Sequence, residues 1–222
     1  MIFQDNVIKK YLENVYFVSG TPTGGKSTIS KALGKKYNIP VYDVDEHFDL
    51  HKEMSDEKYQ QAMNKEFADA DEFFGRTVEE YKSWLVSNAR EQWDFIVLDL
   101  IRLSKDGPII CDCNLPIEEA EEITDSSRIV FMIKDPKQLC EDYCNRPDHQ
   151  GFSDFIHSAT DYEKAKDTVN KTLYSLNFKA YNDIKNSSYF YLERDNNRSV
   201  EETVRLVEEY LKFDKLSSKI VY

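Results

Sequence analysis

The chain has 222 residues, 41% of them hydrophobic, with only 7 Gly and 6 Pro, so it can bury one sizeable core and carries no compositionally disordered half. Its 41 acidic against 29 basic side chains give a net charge of -12, a field that repels nucleic acid, and no local basic cluster offsets it. Apolar runs such as Phe95 to Leu98 fall far short of the roughly 20 residues that a bilayer span needs, so neither nucleic acid nor membrane is expected as a partner.

The elements follow in chain order. Phe3, Val7, Ile8, Tyr11 and Leu12 have helical spacing and predict a short leading helix. Asp5, Lys9, Lys10 and Glu13 break up the apolar core that a secretory signal requires, so a cytoplasmic address is expected. Asn14 to Ser19 reads as a strand running into the glycine-rich Gly20 to Thr28 (GTPTGGKST). Ser27 to Lys36 then reads as a helix ended by Asn38 and Pro40, before a second strand, Val41 to Val44.

From His47 to Ser104 the spacing predicts helix almost throughout. Within it, Phe95 to Leu100 (FIVLDL) could be a buried strand ending in Asp99. Helix is the better reading, because the apolar run continues through Ile101 and Leu103 to the turn signal Lys105 to Pro108. Ile109 to Cys113 and Arg128 to Ile133 read as the next strands, Lys137 to Cys144 as helix, and Tyr189 to Leu192 as the last strand. Ser199 opens a final helix with a capping box to Glu202 and a stripe of Val200, Val204, Val207 and Leu211. Strands alternating with helices predict an α/β fold with a parallel sheet flanked by helices.

Gly20-x-x-x-x-Gly25-Lys26-Ser27 is the strongest signal. Gly20 allows a tight exit from the strand, and Thr23, Gly24 and Gly25 belong to a loop whose bare amides can approach phosphate oxygens. The following helix points its positive end at the same anion. Lys26 is expected to bridge the β- and γ-phosphates, Ser27 to ligate Mg²⁺, and Thr28 to complete the cradle. The expected cofactors are ATP and Mg²⁺.

Asp43 and Asp45, in Tyr-Asp-Val-Asp after the second strand, decide between a transferase and a switch. Alternation would place both carboxylates on one face at the strand's C-terminal end, where ligands bind in an open parallel sheet. Asp43 is then a metal candidate and Asp45 a general base; the competing reading is two solvated aspartates, one capping a helix. Asp112 is a further metal or substrate candidate, or a plain edge-strand aspartate. No N-K-x-D segment follows either Asn64-Lys65 or Asn170-Lys171, which argues against a guanine-nucleotide switch, and Asp148 to Gly151 matches D-x-x-G without an apolar strand before it. A nucleotide-gated switch or ATPase with no small-molecule acceptor stays as the alternative, beside a kinase of antibiotics or nucleotide sugars.

GTPTGGKST after one strand and PVYDVD after the next resemble the shikimate, gluconate and nucleoside/nucleotide kinase group of P-loop proteins. The resemblance implies a three-layer P-loop fold forming a single domain over residues 1–222. A helical substrate-side insertion at about 47–104 and a lid at about 138–165 go with it. It implies phosphoryl transfer from ATP to a small molecule, with Asp112 near the acceptor, Arg146 as a lid cation that is otherwise a surface arginine, and Asn196 and Arg198 lining the adenine pocket. Cys113-Asn114-Leu115-Pro116 replaces the glycine-rich turn of shikimate kinases, which argues against shikimate. The aromatics Phe67, Phe73, Phe74, Tyr81, Trp84 and Trp93 could stack a nucleobase or form a core. Cys111, Cys113, Cys140 and Cys144 lack zinc-ribbon spacing and are expected to be reduced thiols.

Overall fold

Five short strands pair in parallel in the order β2-β3-β1-β4-β5, where β1 is Val15–Gly20, β2 Val41–Asp43, β3 Ile109–Asp112, β4 Ile129–Ile133 and β5 Tyr191–Glu193. The computed structural model describes residues 4–143, 149–195 and 197–213. The helices are α1 (Asp5–Tyr11), α2 (Lys26–Tyr37), α3 (Phe48–Met54), α4 (Ala70–Phe74), α5 (Val78–Leu103), α6 (Ile117–Ile123), α7 (Pro136–Tyr143), α8 (Gln150–His157), α9 (Tyr162–Asn186) and α10 (Val200–Leu211). The chain divides into two compact units, Met1–Glu46 with Val97–Lys134 and Ala180–Tyr222, and His47–Ile96 with Asp135–Lys179.

In the first unit, strand alternation sorts side chains between the two sheet faces. Tyr16, Val18, Ile110, Val130 and Met132 face α2 and α10, where they join Ile29, Leu33, Val204, Val207, Leu211 and Phe213 in one core. On the other face, Tyr42 is buried and donates its hydroxyl to Asp99 Oδ2 at 3.0 Å, near the end of α5. FIVLDL is helical within α5, and Leu100 is fully buried while Leu98 stays 66% exposed, the one-sided burial of a helix and not the two-sided burial of a central strand. β3 and β4 are buried throughout and β1 from Val15 to Ser19, as expected of a covered parallel sheet.

Two helix readings need correction. Tyr11 of α1 is 61% exposed and Val200 of α10 is 42% exposed, so each apolar stripe is narrower than its spacing suggests. The final helix does start on the expected capping box, with Ser199 accepting from the Glu202 amide and Glu202 from the Ser199 amide.

In the second unit, residues 55–69 are turns and irregular chain where helix is expected. The competing interaction is visible: the Glu91 carboxylate of α5 accepts from the Ala62 and Met63 amides at 2.8 and 2.9 Å, and Trp84 Nε1 donates to the Ala62 carbonyl at 3.0 Å. Side chains of a long helix thus satisfy backbone groups that a local helix would have paired. Phe73, Phe74, Tyr81 and Trp84 pack as core with Ile156, Val169 and Leu173. The Arg76 guanidinium stacks within that core, its carbon 4.3 to 4.8 Å from the ring centres of Phe67, Phe73, Tyr81 and Trp84. Asp71 ties α4 to the segment before α9 by accepting from the Thr160 amide at 2.8 Å and from its hydroxyl.

Candidate functional site

The site forms at the C-terminal edge of the sheet, where the β1 and β3 carboxyl ends meet the start of α2. Gly20 has φ +125°, and a Cβ there would collide with the Met132 carbonyl of β4; the same carbonyl crowds Gly24. The loop is therefore pressed against the neighbouring strand, and only glycine permits that approach. Thr21 locks it further: its amide donates to the Met132 carbonyl at 3.0 Å and its hydroxyl accepts from the Lys134 amide at 3.0 Å.

Gly25, at φ +97°, is the residue before α2, and no side chain caps the helix there. The first turn of α2 thus presents backbone N–H groups and the positive end of the helix, a combination suited to an anion. Lys26 Nζ donates to the Thr21 carbonyl at 3.1 Å, which folds the side chain over the loop. Ser27 and Thr28 are exposed on that turn.

β3 places Asp112 beside this loop. In the parallel register Asp112 pairs with Val18 of β1 and with Asp43 of β2, so the Asp43 and Asp112 side chains leave the sheet on the α2 face. Asp112 is only 3% exposed, its carboxylate is hydrogen-bonded by Ser27, and Oδ2 has no hydrogen-bond partner. Burial raises its pKa first of all; Ser27 and Lys26 pull it down, and the Asp43 and Asp45 charges push it up. All five polar side chains therefore share one electrostatic neighbourhood.

Asp45 arrives there by a route that alternation does not describe. β2 ends at Asp43, and Asp45 begins a single 3-10 turn, Asp45–His47. The Asp45 amide donates to Asp43 Oδ1 at 3.2 Å, so the first carboxylate folds the chain that carries the second. The Val44 amide donates to the Asp112 carbonyl at 3.2 Å and holds this turn against β3.

The donor set fits a magnesium ion. It is all oxygen, and a buried carboxylate oxygen without a partner stands next to a serine hydroxyl at an anion-binding loop. Among the described residues no three His, Cys, Asp or Glu side chains form a cluster that could hold a metal ion. Among the described cysteines, Cys111 and Cys113 are buried and Cys140 half-buried, all as free thiols, with burial pushing the Cys111 thiol up. Cys144 lies outside the described residues.

The remaining candidates are distributed differently. Arg198 donates to the Glu193 carbonyl at 3.3 Å and so braces the loop after β5. Arg146, Asn196 and Asp148 lie outside the described residues. Sequence reading missed Arg194, whose Nη1 donates to the Thr23 carbonyl at 2.7 Å, and Ser19, which accepts from the Leu115 amide at 2.8 Å and fixes the chain after β3. Neither carries a motif signal, since both act on backbone groups distant in sequence.

No family model matches the chain, and no curated protein sequence matches it. Solved structures similar to it include shikimate kinase from Bacteroides thetaiotaomicron, at 16% identity and TM-score 0.45, covering 89% of this chain and 98% of that one. A gluconokinase from Sinorhizobium meliloti is similar at 14% identity and TM-score 0.41, covering 93% of this chain and 97% of that one. Dephospho-CoA kinase from Campylobacter jejuni is similar at 13% identity and TM-score 0.41, covering 90% and 98% respectively.

Proposed function

We propose that this protein is a magnesium-dependent phosphotransferase that moves the γ-phosphoryl group of ATP to a hydroxyl of a small molecule. The observation that carries the reading is the unpartnered Asp112 Oδ2, buried beside Ser27 and Lys26 at a loop built to receive phosphates. An aspartate of purely structural purpose would be expected to satisfy both oxygens, because an orphaned buried acceptor costs on the order of 1–3 kcal/mol.

The roles follow from chemistry. Gly24, Gly25 and the first turn of α2 bind phosphate oxygens through N–H groups, while Lys26, released from Thr21, neutralises charge that develops on the transferring group. Ser27, Asp112 and Asp43 would hold Mg²⁺, which when bound supplies charge neutralisation across the phosphates. Asp45, exposed and turned by its bond to Asp43, accepts the proton of the attacking hydroxyl. Three carboxylates against one lysine favour a neutral or cationic acceptor over a strongly anionic one.

The test is an ATP-consumption screen against nucleosides, sugars, sugar acids and aminoglycosides. Turnover stimulated by one class supports the reading. Nucleotide binding with no stimulation by any class, together with partner capture in only one nucleotide state, would favour a switch instead.

A further inference from the structure

We propose that Arg194 is a positioning residue of the phosphate loop, holding the Thr23–Gly24 peptide in the orientation that receives a nucleotide's phosphates; this builds on the nucleotide-binding reading above. Thr23 has φ +56°, the left-handed region. A β-branched residue is seldom found there, since its Cβ crowds the backbone, whereas glycine, as at Gly25, adopts positive φ freely. The Thr23 side chain does nothing to offset this, because its hydroxyl is buried without a hydrogen-bond partner.

The compensation comes from the two ends of the next peptide. Arg194 Nη1 donates to the Thr23 carbonyl at 2.7 Å, a short charge-assisted bond, and the Gly24 amide donates to the Thr21 carbonyl at 3.3 Å. A planar peptide gripped at its oxygen and its nitrogen cannot rotate without breaking both bonds. The amides of Gly25 and Lys26 follow directly and inherit their direction from it.

Arg194 is itself held. Its own amide donates to the Ile133 carbonyl at 2.8 Å, continuing the β4–β5 ladder, and the Arg198 guanidinium closes the loop onto the Glu193 carbonyl. The segment after β5 is therefore wired to the phosphate loop through one guanidinium.

The experiment is a double-mutant cycle on magnesium-ADP affinity, read by calorimetry on the full chain, with thermal midpoints of the free variants as a control. Arg194→Ala should weaken binding about tenfold, the worth of one hydrogen bond from a charged donor. Its midpoint should fall only slightly, because the side chain is exposed and the bond that is lost is a single one. Arg194→Lys, which keeps a cationic donor, should recover most of the loss. Thr23→Gly removes the backbone strain, so in that background Arg194→Ala should cost less than about threefold. Unaltered affinity in Arg194→Ala, or an equal loss in both backgrounds, would overturn the proposal while leaving nucleotide binding intact. A wild type that binds no ADP would instead sink the nucleotide-binding reading, and this proposal with it.

Discussion

Asp43 stands directly opposite Asp112 across the parallel β2–β3 pairing, so two carboxylates from different strands are delivered to the same face of the sheet beside the phosphate loop. Burial raises the cost of ionising Asp112, and the Asp43 charge adds to it. Such an arrangement carries an electrostatic cost, which the magnesium ion proposed above would offset.

That relationship has a pH signature. Because the Asp112 pKa is raised in the fold, the folded state holds its proton more tightly than the unfolded chain does. Stability from this group is then fully present below the ordinary aspartate pKa and is lost as pH rises through the elevated one. Asp112→Asn should therefore raise the thermal midpoint of the ligand-free protein at pH 7, with the gain shrinking in acid, while abolishing the further stabilisation given by ATP with Mg²⁺. A lower midpoint at pH 7 would show that the carboxylate is structurally satisfied.

Asp45→Asn separates chemistry from binding. The variant should keep magnesium-ATP affinity within about twofold and lose on the order of a hundredfold or more in acceptor-dependent kcat, the range for a missing general base. Loss of ATP affinity with kcat preserved would place Asp45 at the nucleotide and not at the acceptor.

Arg76→Ala tests the aromatic core of the second unit. The guanidinium lies against four rings and Nε donates to the Phe73 carbonyl at 2.8 Å. Its removal should cost about 1–3 kcal/mol in urea denaturation. An unchanged midpoint would mean that the rings close over the vacancy.

Ser199→Ala removes the side chain that caps α10 and breaks one half of its capping box with Glu202. The expected loss is about 1 kcal/mol, or roughly 2–4 °C for a chain of this size. A silent substitution would show that Val204, Val207 and Leu211 alone hold the helix in place.

What could be read before the structure was whatever local rules govern. The glycine loop, the helical FIVLDL segment and the Ser199 cap follow from spacing and residue type, and each is found where expected. Asp45 was legible as a candidate, but strand alternation was the wrong reason for its placement, since a side-chain bond from Asp43 ends the strand first. Asp112 was legible as a metal or substrate candidate on equal terms with an edge aspartate, because its place beside the loop comes from pairing with Val18 of β1, 94 residues away in the chain, which no local pattern reports. Residues 55–69 were read as helix because their apolar spacing permits it, and Glu91 from a distant turn of α5 overrules that spacing.

Transfer of label from γ-labelled ATP to an acceptor, compared between the wild type and Lys26→Ala, tests the kinase assignment most directly. The wild type should label an acceptor in a magnesium-dependent reaction, and Lys26→Ala, folded with an unchanged thermal midpoint, should lose at least about a hundredfold of that rate. Equal labelling by both proteins would contradict the assignment of the Gly20 to Thr28 loop as the site of transfer.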